Sequence, residues 1–221
     1  MIAKTAYVHF FQVPAKFPER PLRDKGNQPL LLISPVQRKY RIRNACGNTE
    51  TGYTIGMQGN LIAKIHTHLI ARKKTIAVAE SCTGGLLSKL LTDLPGSSGY
   101  FILGVVAYHN KAKESILKIP SSLIAKKGAV SKETALAMAT QVRRIAKADI
   151  GIGITGIAGP AGGTIVQPVG TVYIAAATKN QVTCARFLFK GSRSSIRRKA
   201  TLTALKLVDA SPRYLRWRGS A

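Results

Sequence analysis

The spacing of apolar side chains changes character partway along the chain. From Gly59 onward Leu61, Ile62, Ile65, Leu69 and Ile70 fall on one helical face, and Lys73 and Lys74 end that helix where its dipole favours cations. Thr75–Ala79 is a short apolar run of the buried-strand type. Leu86–Leu94 returns to helical spacing and is stopped by Pro95 and Gly96. Tyr100–Tyr108 is apolar and strand-like, interrupted by Gly104, and Lys111–Lys118 forms a short helix before Pro120. Ser131 is placed to cap a helix running to about Lys147, with Glu133 in its first turn. Ile150–Ile154 alternates with glycine and predicts a buried strand. Thr155–Pro168 is a glycine-rich loop. Gly170–Ala177 and Val182–Phe189 predict a hairpin around Lys179–Gln181, and Ser194–Val208 a last helix with a basic outer face.

Helices alternating with strands, plus one hairpin, predict an α/β fold: a layered single domain with a mixed β-sheet flanked by helices. That domain spans residues 57–208. Residues 1–56 break the pattern. They carry Pro14, Pro18, Pro21, Pro29 and Pro35, a basic cluster at Arg38–Arg43, and one candidate strand at Leu30–Ile33. They read as a poorly ordered N-terminal extension, with a docking segment or translated sequence upstream of the start as alternatives. Residues 209–221 read as a short basic C-terminal tail.

Composition adds one unusual feature. Among 221 residues, Lys and Arg number 34 against 9 Asp and Glu, a formal charge of +25. That balance suits anionic partners such as nucleic acid, acidic membranes or phosphorylated small molecules, and equally a highly charged surface with no specific partner. Tyr40, Tyr214 and Trp217, interleaved with arginines, could stack on bases, so nucleic-acid binding through the termini is one reading. Cys46, Cys82 and Cys184 form no CxxC pair, which points to neither a zinc site nor a disulfide framework and fits a reducing cytoplasm. No apolar run approaches the ~18 residues of a membrane span, and the first ten residues lack a signal-peptide core.

The chemistry concentrates in two places. At Glu80–Gly85 a strand runs into E-S-C-T-G-G and then a helix. Backbone N–H groups near Thr83, Gly84 and Gly85 could hold a phosphate or an oxyanion, with Ser81 placed to attack a carbonyl. The plainer reading is that Ser81 or Thr83 only caps the helix. Cys82 is a rival nucleophile or a small packed side chain. A nucleophilic serine needs a base, and His9, His66, His68 and His109 complete no Ser-His-Asp set. Lys111 and Lys113, in Y-H-N-K-A-K after an apolar strand, could serve if one were held neutral by burial. The second place is Gly153–Gly163, G-I-T-G-I-A-G-P-A-G-G. It leads to a strand rather than a helix, unlike a dinucleotide fingerprint, and lacks the P-loop lysine. It reads as a backbone cradle or as an irregular connector. Gly191-Ser192-Arg193 then opens the last helix with Arg197 and Arg198 one turn on, where a bound anion would offset cations at a helix start.

Taken in order, A-E-S-C-T-G-G at 79–85, P-G-S-S at 95–98, Y-H-N-K-A-K at 108–113, G-A-V-S at 128–131, the glycine loop, P-V-G-T at 168–171 and the arginine-rich helix resemble the CinA C-terminal domain family over about residues 58–208. The resemblance implies a nicotinamide-nucleotide amidohydrolase of the pyridine nucleotide cycle. Such an enzyme hydrolyses the carboxamide of nicotinamide mononucleotide to nicotinic acid mononucleotide and ammonia, with no metal or cofactor, commonly as a homodimer. It places the nucleophile on Ser81 and the catalytic lysine on Lys113, with Tyr108 assisting and Asn110 matching the motif. Substrate and oxyanion contacts then fall to Thr83, Gly84, Gly85, Thr155, Gly156, Gly159, Gly162, Gly163, Arg193 and Arg197. Ala161, Gln167 and Ser192 depart from the commonest pattern, where acidic, lysine and aspartate residues stand. The domain that precedes this one in longer relatives has no counterpart among these motifs.

Overall fold

The computed structural model describes the backbone of residues 55–209 and side chains from residue 61; the extension up to 54 and the tail from 210 lie outside the described residues. The first helix, α1 (Ile55–Ala71), starts a turn earlier than its apolar face predicts. Next come β1 (Ile76–Glu80), α2 (Leu86–Leu91), a single 3₁₀ turn (Ser97–Gly99) and β2 (Phe101–Val106). Two short helices follow, α3 (Asn110–Ser115) and α4 (Ser121–Lys127), the second of them absent from the sequence reading. The chain then forms α5 (Lys132–Ala146), β3 (Ile150–Gly156), β4 (Thr171–Ala177), β5 (Val182–Leu188) and α6 (Arg193–Asp209). Ser131 caps α5 as predicted, its hydroxyl accepting from Thr134 N–H at 3.1 Å.

The five strands form one sheet in the order β2-β1-β3-β4-β5. β1 pairs in parallel with both β2 and β3, whereas β4 is antiparallel to β3 and β5. The sheet is therefore mixed, and β1, β2, β3 and β5 all end at the same edge. Side-chain alternation sorts the two faces. Ile76, Val78, Ile150, Ile152 and Ile154 point to the layer built from α1, α2 and α6, where Ile65, Leu87, Ile196 and Leu205 are buried against them. Ala77 and Ala79 face Met138 and Val142 of α5.

The glycines of β3 explain why its sequence alternates. A Cβ on Gly151 would stand 2.2 Å from Ala139 O, and one on Gly153 2.5 Å from Ala135 O. The backbone of α5 thus lies directly on the strand, with no room for a side chain between them. Gly153→Ala is expected to push α5 off the sheet and cost about 1–3 kcal/mol. Thermal denaturation should record a midpoint several degrees lower, and an unchanged midpoint would mean that this contact is not tight.

Candidate active site

The ends of β1, β2 and β3 deliver three connections to one edge: Ser81–Gly85, Ala107–His109 and Ile157–Gly170. Parallel α/β sheets commonly place ligands at this edge. The first turn of α6 arrives there too, because β5 ends at the same side.

Ser81 leaves β1 with its N–H held by Ile154 O at 3.0 Å, and it is 8% exposed. Lys113 of α3 is 1% exposed. Its Nζ lies 3.3 Å from Ser81 Oγ and 3.0 Å from the Ala107 carbonyl, with Tyr108 O at 3.5 Å. Among the described residues no carboxylate pairs with it, and burial holds its pKa below the usual lysine range. Lys111, the other lysine of that motif, is exposed, and its N–H is held by His109 Nδ1 instead. Cys82 settles as a packed core side chain. Burial pushes its thiol up to about 12, so it stays protonated at neutral pH and is no rival nucleophile.

Neither Ser81 nor Thr83 caps α2. The cap is the buried carboxylate of Glu80, which accepts from Gly85 N–H at 3.0 Å, Leu87 N–H at 3.1 Å, Ser88 N–H at 2.8 Å and the Ser88 hydroxyl at 2.7 Å. This corrects the expectation of open donors across Thr83–Gly85. Gly85 N–H is spent on Glu80, and Gly84 N–H donates to Ser81 O at 3.1 Å. Among the described residues, the N–H of Thr83 donates to no hydrogen bond and that of Cys82 reaches no acceptor beyond its own thiol, so they are the donors left beside Ser81. An acid at the end of an apolar strand, a few residues before a helix, is the sequence signal for this arrangement, and its hydroxyl and thiol neighbours mask it.

The arginines are also engaged. Arg197 directs Nε and Nη2 to the Thr83 carbonyl at 3.2 and 2.8 Å. Gly84 makes room for it: at φ +61 it has no Cβ, and one added there would stand 2.9 Å from Arg197 Nη2. Arg193 donates to Gly159 O at 2.7 Å and to the Tyr108 hydroxyl at 2.5 Å, so it ties the glycine loop to the segment that leads into Lys113. Tyr108 is 56% exposed, and Asn110 is an exposed first residue of α3. The Thr83 hydroxyl is buried with no partner among the described residues.

Thr155 and Gly156, predicted to open the loop, instead finish β3, opposite Tyr173 and Val172 of β4. The Thr155 hydroxyl donates to Ala129 O at 2.7 Å and so anchors the turn before α5. A Cβ on Gly156 would meet Thr171 O at 2.7 Å. Gly162 and Gly163 lie in the exposed part of the loop. No group of three or more His, Cys, Asp or Glu residues able to hold a metal occurs among the described residues.

Comparison with known proteins agrees with this architecture. The CinA C-terminal domain family matches residues 58–211. A CinA-like protein from Desulfotalea psychrophila is 47% identical over 174 residues, covering 79% of this chain and 41% of that relative. The chain thus spans about two fifths of the length of that relative. Among solved structures, the competence/damage inducible protein CihA of Agrobacterium tumefaciens is 35% identical, with a TM-score of 0.69, over 72% of this chain and 97% of that one. The competence damage-inducible protein A of Klebsiella pneumoniae is 32% identical, with a TM-score of 0.68, over 73% of this chain and 99% of that one. Sequence and backbone alike place this chain in the CinA C-terminal domain family.

Proposed function

We propose that the chain hydrolyses the carboxamide of nicotinamide mononucleotide with Ser81 as nucleophile and Lys113 as general base. The supporting observation is a buried amine that has no carboxylate partner among the described residues and lies 3.3 Å from the Ser81 hydroxyl, at a turn with backbone N–H groups free beside it. Neutral Lys113 takes the proton of Ser81 Oγ as that oxygen attacks the amide carbon. The oxyanion accepts from the N–H groups of Cys82 and Thr83, where each donor is typically worth about 3–4 kcal/mol. The C–N bond then breaks, and Lys113 passes its proton to the departing ammonia. Water adds to the acyl-serine, its proton moves through Lys113, and nicotinic acid mononucleotide leaves with Ser81 restored.

Arg197, its fork spent on the Thr83 carbonyl, keeps the turn in place. Arg193, at the exposed start of α6, supplies charge for the phosphate. A pyridinium near Lys113 further disfavours the protonated amine.

Purified protein given nicotinamide mononucleotide is expected to release nicotinic acid mononucleotide and ammonia in equal amounts. Saturable nucleotide binding with no product would instead make the domain a nucleotide sensor. The pH dependence has a definite sign. Protonated Lys113 cannot accept the serine proton, so kcat/KM should fall as pH drops through its lowered pKa and level off above it. A flat profile from about pH 6 to the usual lysine range would exclude a lysine base.

A further inference from the structure

The two edge strands of the sheet differ in how they are guarded. β5 carries Arg186, whose Nη2 donates to Val166 O at 3.0 Å, and Lys179 and Lys190 flank it. β2 carries no charge: it reads F-I-L-G-V-V, and Pro95–Asn110 as a whole contains no Lys, Arg, Asp or Glu. Soluble proteins ordinarily blunt an edge strand with lysine, proline or a covering segment, because its unpaired N–H and C=O groups template another strand.

The open groups of β2 lie along one side. Ala107 N–H donates to Glu80 O at 2.8 Å, so by alternation Val106 and Gly104 turn their N–H and C=O groups away from β1. A one-residue slip in register sets Phe101 opposite Ile76 and Leu103 opposite Ala77, which leaves Ile102 with no partner on β1. Ile102 and Val106 are 48% and 47% exposed, and Gly104 between them is exposed as well. A Cβ on Gly104 would stand 2.6 Å from Ser88 Oγ, so α2 lies against the face of the strand there and its edge is what remains open.

The spacing of these three residues is self-complementary. Two antiparallel copies of β2 related by a two-fold axis at Gly104 bring Gly104 opposite itself and Ile102 of each copy opposite Val106 of the other. Each of these pairs exchanges two backbone hydrogen bonds, and an aliphatic pair forms on either side of an axis that holds no side chain. Charge selects the same occupant. A second copy carries the same +25 and is repelled where lysines and arginines stand, so an uncharged edge is where it approaches; an acidic partner would be drawn to the cations instead.

We propose that β2 is the interface of a homodimer, pairing antiparallel with β2 of a second copy about Gly104 to make one continuous sheet from two. The pairing does not depend on the activity proposed at Ser81.

The test is sedimentation equilibrium of the full chain over a range of concentrations at about 0.15 M salt. Wild type is compared with Ile102→Lys, with Ile102→Lys/Val106→Glu, which sets opposite charges across each proposed pair, and with Ile145→Lys, the same change at an exposed isoleucine of α5. The expected result is a wild-type dimer, a dissociation constant raised at least about tenfold by Ile102→Lys, recovery in the double variant and no change in Ile145→Lys. A monomeric wild type would leave the edge to a strand of another protein and overturn the proposal. So would a dimer indifferent to Ile102→Lys, equal loss in Ile145→Lys, or a double variant as weak as the single one. Amide exchange in wild type reads the same interface without substitution. The N–H groups of Ile102, Gly104 and Val106 should be protected where the dimer prevails and lose protection on dilution, and exchange independent of concentration would equally overturn the proposal. Melting curves confirm that each variant is folded.

Discussion

Lys113→Met is expected to cut turnover by about 10²–10⁴-fold, the usual range for losing a general base, while the protein remains folded. Methionine follows nearly the same path through the core but cannot accept a proton. Ser81→Ala should reduce turnover at least as far. Because the two groups act in one step, the double variant should be little worse than either single one. Rates above about a tenth of wild type in Lys113→Met would remove the lysine from the reaction.

The same substitution has a stability signature of definite sign. Burial lowers the Lys113 pKa in the folded protein, whereas the unfolded chain keeps the ordinary value of 10.5. Between the folded value and 10.5 the unfolded chain binds more protons, so wild-type stability falls as pH drops through that window, and the deficit persists below it. Lys113→Met carries no such deficit. Its melting temperature relative to wild type should therefore move in the variant's favour as pH falls from about 10.5. A difference independent of pH would show that the amine keeps its ordinary pKa in the fold.

Glu80→Gln is the second large effect. The carboxylate is completely buried and receives three N–H groups and one hydroxyl. Glutamine keeps the length but turns an NH2 toward groups that are themselves donors. At least one buried donor loses its partner and another faces like polarity, at about 1–3 kcal/mol for each unsatisfied group. The expected loss is about 2–5 kcal/mol, or roughly 5–15 °C in melting temperature for a domain of this size. Turnover should fall as well, because the helix that Glu80 caps closes the turn carrying Ser81. A Glu80→Gln protein with wild-type melting would mean that the carboxylate is not the anchor of α2.

Much of this architecture was legible because periodicity reports burial. Ile76 and Val78, the alternation of Ile150, Ile152 and Ile154 with glycine, and the cap at Ser131 all identify their elements directly. Helix α4 was missed because Leu123 and Ile124 are its only large apolar residues, too few to show a period. Thr155 and Gly156 have the composition of a turn, while their place in β3 is set by pairing with β4. At the site, the ordered motifs singled out Ser81 and Lys113, but no local pattern states that Lys113 turns inward and Lys111 outward. The engagement of Arg193 and Arg197 with carbonyls was equally hidden. A formal charge in a sequence invites an anion, and only tertiary structure reveals that a peptide oxygen has taken its place.

The order of the strands also bears on how the working edge comes into being. β4 and β5 join through a tight hairpin, a local pairing that closes with little entropic cost. β1 meets β3 with Ile76 opposite Ile150, a pairing of much larger sequence separation and a correspondingly larger closure entropy. Ser81 and Lys113 sit at the end of the β1–β2 pairing, 32 residues apart, so their approach asks for a shorter chain closure than the one that joins β1 to β3.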